Sequence, residues 1–190
     1  MFSEFIQPKV MGHLKIYEEN TGKILLDQHN AIHPENMSNA LAMALSNNGG
    51  FLKEMCFGNG GVKVNASNEY LYTSPQTIGK SASLYSQTYS KVVDQNSSEN
   101  VDKTRNFMEV SHVVGNVYTD IMIQCALEMG EPTGQNVLNN ESNIISEYSF
   151  SEIGLKNIHG DLLTHICFYP ILKSNNVSIV VNYLIRIMMV

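Results

Sequence analysis

Along most of this chain, apolar side chains fall on every second residue. The longest case lies at the C-terminal end, where Val177, Ile179, Val181, Tyr183, Ile185, Ile187 and Met189 alternate with Ser178, Val180, Asn182, Leu184, Arg186 and Met188. Successive strand side chains point to opposite faces, so this period predicts one long strand with a buried face. Before it, Leu162 to Tyr169 is a nearly unbroken apolar run, and Pro170 with Lys173 to Asn176 predicts the turn between the two. Around Phe150 and Ile153 the alternation slips by one position, which predicts a β-bulge near Ser151 and Glu152. Near the start, Val10, Gly12, Leu14 and Ile16 alternate with His13, Lys15 and Tyr17. Glu18 to Gly22 then supplies turn chemistry before Lys23 to Asp27, so a hairpin is expected. A second hairpin is predicted from Asn106–Val114 and Val117–Met129 around Gly115 and Asn116, with Val117, Thr119, Ile121, Ile123, Cys125 and Leu127 facing inward. Leu84 to Val93 alternates again, placing Tyr85, Tyr89 and Val93 on one face.

The period changes once. Between Asn30 and Leu45, Met37, Leu41, Ala44 and Leu45 recur at helical spacing. Pro34 suits a first helical position, Ile32 can pack on Met37, and Ser46 to Gly50 ends the segment. One amphipathic helix over about 34–47 is therefore expected, with its stripe on a sheet. After it, Phe51 to Phe57 runs into Gly58-Asn59-Gly60-Gly61, and Val62 to Val64 alternates beyond. Asn-Gly predicts a type I′ hairpin turn, whose two central residues need positive φ. The loop has neither the lysine of a phosphate-binding loop nor a helix after it, so nucleotide binding is not expected. The organisation that follows is an N-terminal arm, residues 1–9, and a single β-rich domain, residues 10–190, with long loops at about 65–83, 94–105 and 130–143. Phe2, Phe5 and Ile6 are the arm's apolar anchors and Pro8 ends it; such an arm packs on its own core or reaches a neighbour. If it reaches a neighbour, deleting residues 1–9 should abolish assembly and leave monomer unfolding almost unchanged. The expected fold class is mainly β with one α-helix: an antiparallel β-sandwich with the helix packed on a sheet.

Composition narrows the partners. Of 190 residues, 43% are hydrophobic but only 16% are charged, below the roughly 25% of an average soluble domain, and Asn and Ser supply the remaining polarity. The net charge is -6, without a Lys/Arg cluster, so no nucleic-acid or anionic-membrane partner is expected. Cys56, Cys125 and Cys167 are odd in number, far apart and set among apolar residues. They read as buried thiols of a protein made in a reducing cytosol, not as a disulfide framework or zinc site. No basic-then-apolar leader opens the sequence and no run approaches the ~20 apolar residues of a membrane span, so secretion through a cleaved signal is not expected. Without export, the sequons at Asn65 and Asn176 are chance matches.

Candidate chemistry is sparse. His29 and His33, with Asp27 and Glu35 nearby, have metal-ligating residue types, but Pro34 disfavours a helical geometry at His33, and a helix-entry loop is the expected reading. His112, His159 and His165 are scattered, with no nucleophile elbow to serve. Glu152, framed by Phe150 and Ile153, reads either as a catalytic carboxylate or as a hydrogen-bond acceptor at a bulge. The second is expected, since no opposing carboxylate for glycoside hydrolysis stands out. Tyr70, Tyr72, Tyr85, Tyr89 and Tyr118 read as half-buried strand residues or as a sugar- or protein-binding face. Neither a cofactor, a metal nor a catalytic residue is expected.

Two stretches carry a resemblance. Glu152-Ile153-Gly154-Leu155, a Gly160-Asp161 turn with Leu162-Leu163, Phe168-Tyr169-Pro170-Ile171 and Lys173-Ser174, followed by a terminal alternating strand, resembles a closing pattern of bacteriophage tail and fibre-attachment proteins. Phe57-Gly58-Asn59-Gly60-Gly61 is similar to the G-x-G-G turn after the first helix and strand of such proteins. The resemblance implies a β-rich virion component in a collar, tail or baseplate ring, made in the bacterial host cytoplasm. Its partners would be copies of itself, other virion proteins or a tail fibre. No repetitive shaft or receptor-binding tip follows, which favours an adaptor over a fibre. The alternative is a carbohydrate- or receptor-binding module, and a cell-wall hydrolase is third.

Overall fold

The computed structural model describes residues 7–67, 69–133 and 147–190. Phe2, Phe5 and Ile6, and most of the predicted loop 130–143, lie outside the described residues. In chain order the elements are β1 (Pro8–Glu18), β2 (Ile24–Ile32), α1 (Pro34–Leu45), β3 (Leu52–Gly58), β4 (Val62–Val64), β5 (Tyr70–Tyr72), β6 (Gln87–Val92), β7 (Phe107–Ser111), β8 (Tyr118–Leu127), β9 (Glu147–Asn157), β10 (Leu162–Ser174) and β11 (Ile179–Met189). Nine strands make one antiparallel sheet in the order β6-β3-β9-β10-β2-β1-β11-β8-β7, and β4 with β5 makes a separate two-stranded sheet. The chain is mainly β with one helix, as its periodicity predicts.

The sheet turns at β2. Most of β2 pairs with β1, from Asn30↔Gly12 to Ile24↔Tyr17, whereas its last residues pair with β10 through Ala31↔His165 and Ile32↔Thr164. The strands on either side of this corner face one another. Leu14, Ile16, Ile123, Val181 and Tyr183 from one half join Met55, Phe57, Phe150, Ile153 and Phe168 from the other in a single core. Each such side chain contributes roughly 1.5–3 kcal/mol through its removal from water. Phe150 is central, meeting Phe57 and Phe168 edge-to-face at 5.6 and 5.9 Å. The two ends of the sheet then approach: Lys91 Nζ on β6 donates to the carbonyl of Ala126 on β8 at 2.8 Å. The expected sandwich is thus formed by one curled sheet instead of two separate ones.

Helix α1 begins where expected. Pro34 occupies the first turn and His33 caps it, accepting the Asn36 N–H at Nδ1. Met37 and Ala40 are buried, but Leu45 is 90% exposed, so the predicted stripe fails beyond Leu41. The sheet reaches only the first half of the helix, and Ala44 and Leu45 overhang it.

Other expectations are corrected by pairing. The arm does not extend to residue 9: Pro8 pairs with Met189 as the first residue of β1, and Gln7 N–H donates to the Val190 carbonyl at 2.7 Å. β11 runs to Met189 and pairs with β1 along its whole length, so deletion of residues 1–9 would strip strand as well as arm. Pro170 lies within β10, not in a turn. Between Glu152↔Cys167 and Phe150↔Ile171, Ser151 alone on β9 faces Phe168, Tyr169 and Pro170 on β10. The bulge is at the predicted level of the sheet, but the extra residues are on the neighbouring strand, where a proline is tolerated. β6 begins at Gln87, after Tyr85, and Val117 precedes β8 and is exposed.

Candidate functional site

The two stretches singled out in the sequence meet in space. Glu152 leaves β9 just below the bulge and is fully buried. Its Oε1 accepts the main-chain N–H groups of Gly60 (2.9 Å) and Ser86 (2.8 Å). Its Oε2 accepts the N–H of Tyr85 (2.9 Å) and lies 3.0 Å from His165 Nε2. The carboxylate is thereby surrounded by oriented donors, the arrangement that makes backbone nests bind anions. Burial pushes the carboxyl pKa up, but the bonds from His165, Ser86, Tyr85 and Gly60 outweigh it and hold the group below its ordinary value.

This contact explains the glycines of the 58–61 turn, and not in the expected way. Neither Asn59 nor Gly58, Gly60 or Gly61 has positive φ, and β3 does not form a hairpin with β4. A Cβ on Gly60 would stand 2.5 Å from Tyr85 Cβ, one on Gly58 2.5 Å from Glu152 Oε1, and one on Gly61 would fall on the Ser151 carbonyl. The glycines let the turn lie against the Ser151–Glu152 backbone, close enough for Gly60 N–H to reach the carboxylate. Gly154 serves the same packing, since a Cβ there would meet Leu162 Cδ1 at 2.6 Å and the Thr164 carbonyl at 2.9 Å.

The segment expected as a long irregular loop, 65–83, contains β5 and then becomes a strap across the outer face of β3, β9 and β10. Gln76 N–H donates to His165 Nδ1 at 2.7 Å. The Gly79 carbonyl lies 3.0 Å from His33 Nε2, and Asn36 Nδ2 donates to the carbonyls of Lys80 (3.3 Å) and Leu162 (2.9 Å). Leu84 closes a small second core with Cys56 and Leu162. Buried His33, Asn36, His165 and Glu152 are therefore pins for one strap.

Glu152, His165 and Cys167 also bring their ligand atoms within 4.8 Å of one another, the grouping among the described residues with metal-like donors. The hydrogen bonds argue against that role. Since Nδ1 of His165 accepts the Gln76 N–H, its proton sits on Nε2 and points at Glu152. A metal on Nε2 would need the opposite tautomer and would set Nδ1–H against the Gln76 N–H. The same commitment denies Cys167 a base: its Sγ lies 3.6 Å from an Nε2 that is already donating, and burial pushes the thiol pKa up. The geometry fits the expectation of a hydrogen-bond acceptor at a bulge better than that of a catalytic carboxylate.

His29 and His33 do not converge. His29 stacks edge-on against His13 at 5.1 Å, and His33 is the helix cap. Sequence reasoning missed His165 and Cys167 as neighbours of Glu152. The signal available was the β9–β10 register counted from the Gly160 turn, which sets Cys167 opposite Glu152 and His165 opposite Gly154.

The tyrosines divide. Tyr89 packs against the core beside Phe57 and Tyr85 closes the strap onto the Ser74 carbonyl, whereas Tyr70 and Tyr72 lie on the exposed hairpin β4–β5. Tyr70, Leu71, Tyr72 and Tyr169 are 47–58% exposed, and the Tyr70 and Tyr169 rings meet at 5.1 Å. Val64 on β4 joins Tyr70, Tyr72 and Tyr169 in an apolar, tyrosine-rich surface over β10, whereas Leu71 lies with Lys63 on the opposite face of the hairpin. No protein-family model, no curated protein and no solved structure matches the chain, so the functional reading rests on its surfaces and buried chemistry.

Proposed function

We propose that the chain is a structural component of a bacteriophage tail, collar or baseplate, where it assembles with copies of itself and links neighbouring virion proteins or fibres. The observation that supports this reading is the surface of Val64, Tyr70, Tyr72 and Tyr169. Contiguous apolar surface on a soluble domain marks an interaction site, and tyrosine is enriched in the centres of protein interfaces. Consistent with an assembly role, the donors around Glu152 are spent inside the chain. The resemblance of the Glu152–Gly154 and Gly58–Gly61 stretches to phage attachment modules points the same way, and these stretches touch in space.

The test is composition of the particle. Purified virions from the encoding phage should contain the chain in a fixed copy number matching a ring of the tail or neck, and particles assembled without it should lack the neighbouring component. Its absence from mature particles would sink the proposal. A carbohydrate-binding module draws on the same tyrosines, but Tyr70 and Tyr169 are inclined at 70° and offer no flat platform for a sugar ring. Glycan binding by the isolated chain would favour that second reading.

A further inference from the structure

Among the described residues no strand pairs with the outer edge of β7, and the chemistry of that edge indicates what closes it. Met108 turns its main-chain groups away from β8 and toward Gln95: its N–H donates to Gln95 Oε1 at 3.0 Å and its carbonyl accepts from Gln95 Nε2 at 2.9 Å. One carboxamide thus occupies the place of a neighbouring strand, but only at this position. Two residues on, the strand period turns the N–H and carbonyl of Val110 to the same side, and among the described residues neither has a hydrogen-bond partner. Continued one residue past the end of β7, the same period makes His112 the next outward position. Between Phe107 and Val117 there is no lysine or proline, two of the devices by which natural edge strands resist pairing, and the one charged residue is Glu109. Val110, Val113 and Val114 are instead 67%, 61% and 94% exposed.

We propose that β7 is a self-association edge, at which a second copy of this chain adds its own β7 antiparallel across a two-fold axis at Ser111. In this register Val110 of each copy pairs with His112 of the other, so the outward main-chain groups satisfy one another in two reciprocal pairs. Centring the axis on Val110 would require Met108 as a partner, and Gln95 blocks it. The chosen register sets Ser111 against Ser111 and Glu109 against Val113, so no like charges face each other. It also removes exposed valine surface from water. The same few residues supply both sides, which is the self-complementarity an isologous contact needs. The inference stands independently of the virion reading.

Sedimentation of the purified chain over a concentration series up to roughly millimolar tests it. The wild type should form a dimer. Val110→Pro removes an N–H that β8 does not use, and should weaken association at least about tenfold with thermal unfolding nearly unchanged. Val110→Lys keeps every hydrogen bond within the monomer but sets added charges close together across the axis, and should weaken it likewise if the proline variant folds poorly. Ser111→Cys should give a disulfide-linked dimer under oxidation, because the axis brings the two positions together. A wild type that stays monomeric overturns the proposal, as does undiminished association of the lysine variant or failure of the Ser111→Cys chain to cross-link.

Discussion

Glu152 shows how much a single buried charge can organise when dipoles, not a cation, surround it. Its partners come from the 58–61 turn, the end of the strap and β10, so losing the carboxylate loosens three segments together. Glu152→Gln replaces an acceptor oxygen with an NH2 group that faces an N–H. At about 1–3 kcal/mol for each stranded donor, we expect a loss of about 2–4 kcal/mol in urea unfolding; a loss below 1 kcal/mol would contradict the assigned network. The pH dependence follows from the direction of the shift. The folded carboxyl titrates below the ordinary glutamate value of about 4.3, so its contribution is fully present above that value and is lost as pH falls through the lower, folded one. Stability measured from pH 6 down to 2 should therefore fall more steeply in the wild type than in Glu152→Gln, and parallel curves would remove Glu152 from the account.

At the scale of elements, glycine positions separate close approach from turn conformation. Gly61→Ala drives a methyl group into the Ser151 carbonyl, whereas Gly115→Ala, with φ at 93° and nothing near its Cβ, meets only backbone strain. Strain of this kind costs about 1–3 kcal/mol; the Gly61 variant should lose more, because backbone on both sides must shift. Thermal unfolding of the two variants ranks them, and a milder effect at Gly61 would refute the packing explanation. The helix offers a contrast. Leu45 fits the apolar period yet stands in water, so Leu45→Lys should change stability by no more than about 0.5 kcal/mol, whereas Met37→Ala should cost about 2–5 kcal/mol. Periodicity located the helix correctly but not its overhang, because the extent of the sheet beneath it depends on β10, far away in sequence.

At the scale of the molecule, folding and assembly should separate. Replacing Tyr70 and Tyr72 by serine alters a small exposed hairpin outside the nine-stranded sheet, so the variant should unfold within about 0.5–1 kcal/mol of the wild type yet fail to enter particles. If it assembles normally, the tyrosine surface is not the contact. The deletion expected to test the arm also needs new bounds. Removal of residues 7–9 would cost the pairing of Pro8 and Lys9 with β11, so a clean separation of assembly from stability requires truncation after Ile6.

The alternating pattern alone determined that this chain is a β domain with one helix, because period two and period 3.6 reflect which side chains leave water locally. It also marked Glu152 and the 58–61 glycines as unusual, since a charge in an apolar frame and clustered glycines break local preference. Only the tertiary structure decided that these features touch. Hydrogen bonds across 92 residues depend on β3 and β9 pairing within one curled sheet, and no local period encodes which strands become neighbours. The roles of His33 and His165 were hidden for the same reason: they pin a strap whose course is set by the sheet it crosses. Glu152, whose local sequence fits either catalysis or a bulge, takes its role from donors that the fold delivers.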